Sequence, residues 1–560
     1  MNYLPFYKNQ SVFALPIAFL LSGFLLTGCL GSSSSSDSGN DDPAEEVPDE
    51  DNGDSGSGED DDEDDDDEQE DEGDELLTEL THAYTNSNLD LDDRPLSMQG
   101  VTRAGDQLLV NDGPGSVALV NPESGELQKL DIDNDTAGGV RDLSQGTGRW
   151  NLTTDDVHYF TSNEDDLWRS DGTAEGTYRV ASVNDSSLGP AGYHAFVETA
   201  EGPVIQADTS KRDGDCFFRV VPDADDGHDT LVSQCGVTPD RLLNVGPNIV
   251  LHNGRIHYSQ AVGSDPDLIS DWNVDAMDPA QIAEGTPNTE RVWSLPNEEG
   301  NAERSGPFTM ASSGGALYMA ANGGDGPTLH TPSGTSSSRQ VFSPSVADEV
   351  ARTVSGLVEV SGTTIFFTRI YNEDLGGGFG DFPTLTTPVR TSGSGFTASS
   401  LPSTPDQEPD WRRFERQQVA NALQSSDIRE PVFKDHLLLP VDPVGRPFDR
   451  AQWWTISSGG QLSAMESGAG GPIELSSPIN AIAAEADGAL YLVGEHPEGH
   501  PEEFKTFLFR FTSGAGAGEP IDISDTVNSV AALATIDDKV FILGSGTSGS
   551  DGRRLWRLND

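Results

Sequence analysis

Basic residues, cysteines and apolar residues are all scarce in this chain of 560 residues. Lys and Arg total 32 against 95 Asp and Glu, which gives a formal charge of -63. Because a surface of this sign repels phosphate backbones, nucleic acid is excluded as a partner. Three cysteines are too few for a disulfide scaffold, and their spacing fits no zinc-site pattern. Hydrophobic residues make up 34%, and 61 Gly and 34 Pro argue against long helices as the dominant element.

A long apolar run begins at Ser11 and is followed by Leu26-Thr27-Gly28-Cys29. This ending resembles the lipobox of bacterial lipoproteins, which implies that residues 1–28 are a removed signal peptide and that Cys29 carries the lipid anchor, palmitate included. A plain secretory signal and a membrane anchor are the alternatives. Leu30, not Asp, follows the cysteine, and the enterobacterial sorting rule then favours the outer membrane of the cell envelope.

Residues 29–75 are Ser-rich and then strongly acidic. Between Asp37 and Glu75 there are 24 acidic residues and no basic one. Such a segment cannot bury a core, so it predicts a disordered tether that holds a domain away from the lipid. A weak calcium store is the second interpretation. Residues 76–560 are acidic as well, with 71 acids against 31 bases, which indicates a salty, marine or halophilic habitat.

Short alternating runs recur through residues 76–560, most of them behind a turn such as Asn-Gly or Asp-Gly. The nine runs are QLLV (107–110), VHYF (157–160), PVIQ (203–206), RIHY (255–258), ALYM (316–319), TIFF (364–367), HLLL (436–439), ALYL (489–492) and KVFIL (539–543). Their mean spacing is about 54 residues, with room for four short strands per period, which is typical of a propeller blade. We therefore predict an all-β fold, a β-propeller of about eight blades, within a range of seven to nine. Leu76–Tyr84 or Leu96–Val101 is expected to supply a strand that completes the last blade.

The segment DLWRSDGTAEGTYRV (166–180) resembles a repeat written ELWxSDGTxxGT that occurs in bacterial surface and secreted proteins with propeller-type blades. The resemblance implies a strand with Leu167 and Trp168 on opposite faces, followed by a turn. The matching positions are Leu167, Trp168, Ser170, Asp171, Gly172, Thr173, Gly176 and Thr177. Weaker versions begin at Leu329, Leu508 and Leu555, and they depart from the pattern at the Trp and Asp positions. A separate stretch, 118–127, is similar to a turn in quinoprotein-type blades, although a generic hairpin turn is the preferred interpretation.

Cys216 and Cys235 are predicted to form a disulfide across one hairpin. Asp225-Asp226-Gly227 is a suitable turn centre between them, and counting outward from that turn brings the two cysteines opposite each other within one residue. Export to an oxidising compartment lets such a bond persist. Two free buried thiols are the alternative.

Residues 405–423 interrupt the β pattern. Apolar residues fall there on roughly one helical face, and the segment carries Arg412, Arg413 and Arg416, the most basic patch of an acidic chain. We predict a helical insertion. It either docks an acidic partner through these arginines or covers a blade edge, where the arginines face nearby carboxylates.

Metal and catalytic signals are weak in the sequence. Asp131, Asp133 and Asp135 resemble the start of a calcium loop, but Thr136 replaces the glycine that an EF-hand turn needs, so only weak calcium binding is expected. His496 and His500 are close in sequence, yet the prolines after them exclude a helix that would align them. No cofactor is predicted. No nucleophile elbow, zinc-protease motif or phosphate loop is present.

These observations predict an envelope lipoprotein, attached to the membrane through the Cys29 lipid, whose propeller binds a protein or polysaccharide and is not an enzyme. The first alternative is an extracytoplasmic propeller enzyme, a hydrolase, lyase or quinone-dependent oxidoreductase, with catalytic residues dispersed over several blades. The second is an envelope-assembly scaffold. Fold does not decide between these functions.

Overall fold

The computed structural model describes 38 strands and one short 3-10 helix (Pro279–Gln281), all within the unit Glu72–Asp560. The described residues are 76–80, 100–111, 116–131, 151–154, 156–161, 166–181, 190–209, 212–222, 227–235, 249–263, 269–282, 289–296, 309–322, 327–334, 337–342, 352–371, 384–392, 397–400, 432–441, 451–475, 482–497, 504–547 and 553–559. Cys29, the tether and the insertion 405–423 with its three arginines lie outside them. Within these ranges no helix is long and apolar enough to span a membrane.

The strands of the first half form antiparallel sheets of four strands in chain order, which we number as blades 1 to 5. A preceding short strand, β1 (Leu77–Glu79), belongs to the last blade. Blade 1 contains β2 (Val101–Ala104), β3 (Gln107–Asn111), β4 (Ser116–Val120) and β5 (Leu127–Asp131). Blade 2 contains β6 (Asn151–Thr153), β7 (His158–Thr161), β8 (Leu167–Ser170) and β9 (Tyr178–Ala181). Blade 3 contains β10 (Pro190–Val197), β11 (Val204–Thr209), β12 (Arg212–Pro222) and β13 (Asp229–Cys235). Blade 4 contains β14 (Ile249–His252), β15 (Arg255–Gly263), β16 (Ile269–Met277) and β17 (Glu290–Pro296). Blade 5 contains β18 (Thr309–Ser313), β19 (Ala316–Asn322), β20 (Pro327–Gly334) and β21 (Ser337–Phe342).

The second half continues the pattern, with one irregularity between blades 7 and 8. Blade 6 contains β22 (Arg352–Val360), β23 (Thr363–Tyr371), β24 (Thr384–Ser392) and β25 (Thr397–Ser400). Blade 7 contains β26 (Val432–Phe433), β27 (His436–Val441), β28 (Ala451–Ser457) and β29 (Leu462–Ala464). Two short strands follow, β30 (Glu466–Ser467) and β31 (Glu474–Leu475). Blade 8 contains β32 (Ala483–Ala486), β33 (Ala489–Pro497), β34 (Phe504–Phe511) and β35 (Ala517–Asp522). Blade 9 contains β36 (Val527–Ile536), β37 (Lys539–Gly546) and β38 (Arg553–Leu558), with β1 as its fourth strand.

The described strands form eight hydrogen-bonded sheets, because blades 7 and 8 are joined into one sheet of ten strands. The connection is β31, which pairs with β28 through Ala451–Leu475 and with β33 through Glu474–Glu495. The buried Trp453 Nε1 also donates a hydrogen bond of 3.1 Å across the junction to the carbonyl of Val493. The all-β propeller prediction is confirmed, with nine four-stranded units in the described residues, the upper end of the predicted range.

Apolar clusters between successive blades carry the packing around the ring. Separate clusters join blades 1 to 2, 2 to 3, 3 to 4 and 4 to 5, while one large cluster spans blades 6, 7 and 8. Blades 5 and 6 meet through their first strands, β18 and β22. Two further clusters join blade 8 to blade 9 and blade 9 back to blade 1. The succession therefore closes on itself, and each blade buries both faces against its neighbours.

The N-terminal strand closes the ring. Strand β1 pairs antiparallel with β38, and Leu77, Thr78 and Glu79 face Leu558, Arg557 and Trp556 in register. The Glu79 carboxylate accepts from Arg554 Nη1 at 3.1 and 3.3 Å, and the Thr78 hydroxyl hydrogen-bonds with the Asn559 side chain at 2.9 and 3.1 Å. Of the two candidate closing segments in the sequence, the first supplies the strand. The second ends at Val101, which begins β2.

All nine runs recognised in the sequence form the second strand of a blade. They do not form the innermost strand, because the first strands of neighbouring blades contact each other across most of the ring. The turn before the run explains why the sequence signal is strong there. At Asn253-Gly254, for example, φ is 53° and 75°, the left-handed pair that a two-residue hairpin requires and that Asn and Gly adopt readily.

Candidate functional site

The SDGT segment forms a self-contained loop between β8 and β9. The Asp171 carboxylate accepts from the Thr173 backbone N–H at 3.1 Å and from the Thr173 hydroxyl at 2.7 Å, while the Thr173 Oγ1 accepts from Gly176 N at 2.9 Å. The Ser170 and Thr177 hydroxyls lie 2.7 Å apart. A Cβ at Gly176 would lie 2.0 Å from the Asp171 carboxylate oxygens, so a larger residue there would displace the Asp171 side chain from these hydrogen bonds. The polar side chains of the motif therefore bond chiefly within the loop.

The same loop packs tightly on blade 1. Gly172 has φ +84°, and a Cβ there would lie 2.3 Å from the carbonyl oxygen of Ala104. Gly105, in the turn between β2 and β3, would likewise place a Cβ 2.2 Å from the carbonyl oxygen of Asp171. On the preceding strand, Leu167 packs in the cluster shared with blade 3, and Trp168 packs against the cluster shared with blade 1. The motif thus holds blade 2 between its neighbours.

The weaker copies of the motif occupy the equivalent place in their blades. Strand β8 is the third strand of blade 2, and Leu329, Leu508 and Leu555 lie on β20, β34 and β38, each the third strand of its own blade. The stretch 118–127 contains the turn between the third and fourth strands of blade 1. There the Asn121 side chain accepts from the backbone N–H groups of Glu123 and Ser124 at 2.9 Å, as in an ordinary Asx turn.

A polar and aromatic cluster lies at the outer edge between blades 2 and 3. We call it the blade 2–3 cluster; its members are Tyr159, Arg169, Tyr178, His228 and Asp229. Tyr159 Oη donates to the Asp229 carboxylate at 2.8 Å, and Arg169 Nε lies 3.3 Å from the same oxygen as an ion pair. Tyr178 Oη accepts from Asp229 N at 2.6 Å and from Arg169 Nη1 at 3.2 Å. These contacts fix the fourth strand of blade 2 to the fourth strand of blade 3.

The solvent side of this cluster is a pair of stacked rings. The centroids of Tyr178 and His228 are 4.4 Å apart, with 21° between the ring planes, and His228 is exposed while Tyr178 is half-buried. Burial, together with the neighbouring Asp229 carboxylate, raises the pKa of Tyr159 well above its usual value. The Tyr159 hydroxyl consequently stays protonated and serves as a hydrogen-bond donor, not as a base. The arrangement offers planar rings beside a neutralised Arg169–Asp229 pair.

A second concave feature, which we call the seam cavity, lies where the ring closes. It has a volume of about 320 Å³ and lies between Leu76–Glu79 on one side and Asp522–Thr526 on the other, with Trp556 beneath. Leu77, Ile523 and Trp556 are buried, whereas Asp522 and Asp525 are exposed. The cavity therefore has an acidic rim above apolar side chains that expose almost no surface, and its volume is at the lower end of the range for small-ligand sites.

Buried histidines form a third group that sequence patterns did not single out. His158 is fully buried, its Nδ1 lies 2.8 Å from the Thr153 hydroxyl, and burial lowers its pKa to about 3. His257 is also buried, and this burial is the main reason why its pKa falls to about 4. Both rings are thus neutral near pH 7 and belong to the core.

The remaining sequence-predicted residues are placed as follows. Cys216 and Cys235 are direct partners in the register of β12 and β13, and the Cys216 sulfur is disulfide-bonded. Asp131 ends β5, whereas Asp133 and Asp135 lie outside the described residues. In the described part of the chain, no group of three or more His, Cys, Asp or Glu side chains is arranged to hold a metal ion.

The blade 2–3 cluster was not foreseen, although Arg169 and Tyr178 lie in or beside the SDGT motif. Its other wall, His228 and Asp229, is about 50 residues further along the chain. Nothing in the local pattern around Gly227 indicates that this turn reaches back to Tyr178. The repeat length is the one feature of the sequence that indicates the contact between Tyr178 and His228, because it brings the fourth strands of successive blades side by side.

No protein-family model matches the chain, and no curated protein matches it. Solved structures that can be superposed on it include the computationally designed protein Ika8, with a TM-score of 0.33 and 10% identity over 83% of this chain and 98% of that chain. BamB from Moraxella catarrhalis gives a TM-score of 0.29 and 9% identity over 83% of this chain and 96% of that chain. The β-propeller domain of the Trilobed protease from Pyrococcus furiosus gives a TM-score of 0.28 and 10% identity over 67% of this chain and 97% of that chain. The propeller assignment rests on the sheet topology described above.

Proposed function

We propose that the protein is a lipoprotein of the bacterial outer membrane, anchored through Cys29, whose propeller binds a protein or polysaccharide partner and catalyses no reaction. The observation that carries the binding role is the Tyr178–His228 stack in the blade 2–3 cluster, in which the His228 ring is exposed and Tyr178 is half-buried. Aromatic rings with an exposed face provide rigid contact area at low entropic cost, and Tyr and Arg are enriched at binding interfaces. The stack lies at the outer edge of the ring, where a large partner has access.

The bonding inside the cluster gives Asp229 a structural role and not that of a catalytic base. Arg169 and Asp229 are engaged with each other, and Tyr159 donates to Asp229. A general base needs a carboxylate or imidazole that is free to accept a proton near neutral pH. The Asp229 carboxylate instead holds two blades together, so its role is to fix the position of the rings.

The position of the closing strand supports the tethered arrangement. The tether ends at Glu75, and β1 begins at Leu77. A chain that leaves the membrane through the tether therefore enters the propeller directly at its seam, where β1 is held by pairing with β38. Force along the tether is applied to a strand that is hydrogen-bonded into the last blade.

Affinity capture tests the binding role. The full-length protein is expressed in a marine or halophilic diderm bacterium, cross-linked on intact cells and purified, with His228→Ala as the test variant. Glu519→Ala, an exposed residue of blade 8, is the matched control. We expect the captured protein or polysaccharide to fall several-fold with His228→Ala and to be unchanged with Glu519→Ala. Equal capture by all three proteins would overturn the assignment of this surface.

Fractionation tests the anchor separately. Cys29→Ser should release the protein from the membrane fraction into the soluble fraction, because the lipid supplies the membrane affinity. If the variant remains fully with the membranes, the anchor proposal is wrong, whatever the capture experiment shows.

A further inference from the structure

Three histidines meet where blade 4 packs on blade 5, a contact that we call the blade 4–5 joint. His252 ends β14 and His257 lies on β15, both in blade 4, whereas His330 lies on β20 of blade 5. The His252 and His257 rings meet edge to face, with centroids 5.4 Å apart. The His330 centroid lies 5.4 Å from that of Trp293, a buried residue of blade 4 in the apolar cluster of the joint. His257 faces the same joint, because its register partner Val250 packs against that cluster.

His252 bridges the two blades in its neutral form. Its Nδ1 lies 2.8 Å from the hydroxyl oxygen of Ser312 on β18, and its Nε2 lies 2.9 Å from the Nδ2 of Asn253. Because the Nδ2 of an asparagine can only donate, Nε2 accepts, and Nδ1 carries the hydrogen that is donated to Ser312. A further proton would go to Nε2 and would remove the hydrogen bond from Asn253.

His257 is held in a site that also suits the neutral ring. It is 6% exposed, and its Nδ1 donates to the backbone carbonyl oxygen of Arg255 at 3.2 Å. The nearby charges belong to Arg255 and Glu290, which pair with each other at 2.6 Å and act on the ring in opposite directions. Burial is the main reason why the pKa of His257 falls to about 4, and burial also lowers the pKa of His252 and of His330.

Each acid near the joint is already engaged, among the side chains that the structure describes in these two blades. Glu290 pairs with Arg255, Asp275 pairs with Arg291 at 2.6 Å, and Asp278 accepts from the first turn of the 3-10 helix. The described side chains of blade 5, within 310–319 and 329–332, include no Asp, Glu, Lys or Arg. Positive charges that arise on the three imidazoles would therefore meet no carboxylate that is free to neutralise them.

We propose that the blade 4–5 joint is an acid-sensitive contact, in which proton uptake by His252, His257 and His330 loosens the two blades from each other while the rest of the ring stays closed. The closed joint holds the rings in their neutral form, whereas a loosened joint exposes them to water, where the charged form is stable. Protons therefore bind preferentially to the loosened state. The stability that the joint contributes is complete above pH 6.5 and is lost as the pH falls from 6.5 towards 4. The joint does not include the blade 2–3 cluster, so this inference is independent of the proposed function.

Native-state hydrogen exchange of the full-length protein at pH 7.5 and pH 5 tests the proposal, with each rate corrected for the intrinsic rate at that pH. A pKa of about 4 for His257 in the closed joint and of 6.5 in the loosened joint predicts that the β14, β15 and β18 amides exchange about 25-fold faster at pH 5. His252 and His330 add to this increase. The joint between blades 9 and 1 is the internal reference, because its apolar cluster contains no histidine. An equal increase for the β36 and β2 amides of that joint would overturn the proposal.

Two variants assign the increase to the histidines. The double variant His252→Gln and His257→Gln removes two of the three titrating rings and should lose most of the acid-driven increase. Asn253→Asp changes an exposed turn residue and places a carboxylate beside the His252 Nε2, which favours the charged ring in the closed joint, so its increase should be smaller than in the wild type. Gln461→Glu adds the same charge at an exposed position of blade 7 and should leave the increase unchanged. A full increase in either histidine-site variant, or an equal reduction with Gln461→Glu, would show that the proposal is wrong.

Discussion

Substituting Gly172 by alanine is expected to loosen blade 2 from blade 1. The added Cβ would lie 2.3 Å from the Ala104 carbonyl oxygen and 3.2 Å from its carbon, and both are backbone atoms that cannot rotate away. The left-handed conformation at φ +84° costs an L-residue about 1–2 kcal/mol, and the forced backbone shift adds about 1–3 kcal/mol. The total expected cost is about 3 kcal/mol.

Gly254 provides the matched control. It has φ +75°, close to that of Gly172, but a Cβ there would meet nothing within 4 Å. Gly254→Ala should therefore cost about 1 kcal/mol, the conformational part alone. The difference between the two variants isolates the contact between blades.

Native-state hydrogen exchange is the appropriate assay, because a ring of this size need not unfold in one step. For each variant, the measured quantity is the exchange rate of the nearby amides divided by their rate in the wild type. The amides are those of β2 and β8 for Gly172→Ala and those of β14 and β15 for Gly254→Ala. The difference of about 2 kcal/mol predicts that this ratio is roughly 30-fold larger for Gly172→Ala. Equal protection changes in the two variants would refute the packing of the SDGT loop on blade 1.

Three further outcomes follow from the closure of the ring by β1, the burial of His158 and the pairing of Cys216 with Cys235. Leu77→Ala should raise the hydrogen-exchange rate of the β38 amides about 30-fold, because truncating a buried Leu costs about 2 kcal/mol or more. The same change at the exposed neighbour Leu76 should have little effect. Similar effects at both positions would contradict closure of the ring by β1. Because burial lowers the pKa of His158 from 6.5 to about 3, the folded state binds fewer protons than the unfolded state, and the stability it contributes is lost as the pH falls below 6.5. Native-state hydrogen exchange of the β7 amides, corrected for the intrinsic rate at each pH, should show the wild type losing about 1.6 kcal/mol more than His158→Gln between pH 6.5 and 5, and parallel losses would contradict this. Thiol titration of the denatured, unreduced protein lacking Cys29 should find no free thiol if Cys216 and Cys235 are bonded to each other, whereas two thiols per chain would disprove the bond.

Local chemistry made the propeller predictable from the sequence. The second strand of each blade is an alternating run after a tight turn, and positive φ at Asn253, Gly254, Asp487 and Gly488 shows why Asn, Asp and Gly mark these turns. The copies of the SDGT motif were recognisable because a third strand followed by a turn imposes its own residue requirements. The closing strand was narrowed to two candidate segments, of which Leu76–Tyr84 contains β1.

Contacts between distant segments could not be predicted in the same way. Strand β31 is two residues long, and its pairing with Gln452 and Glu495 depends on the relative position of two blades. The Tyr178–His228 stack and the seam cavity likewise join residues that share no local pattern. The sequence therefore indicated the architecture well and the candidate sites poorly.

A photo-crosslinking amino acid placed at position 228 in living cells tests the binding surface most directly. The proposal predicts one dominant cross-linked protein or polysaccharide at position 228 and none at position 519, which faces solvent in blade 8. Cross-linking of equal strength at both positions, or none at position 228 in protein that is correctly anchored, would contradict the claim that the Tyr178–His228 surface holds the partner.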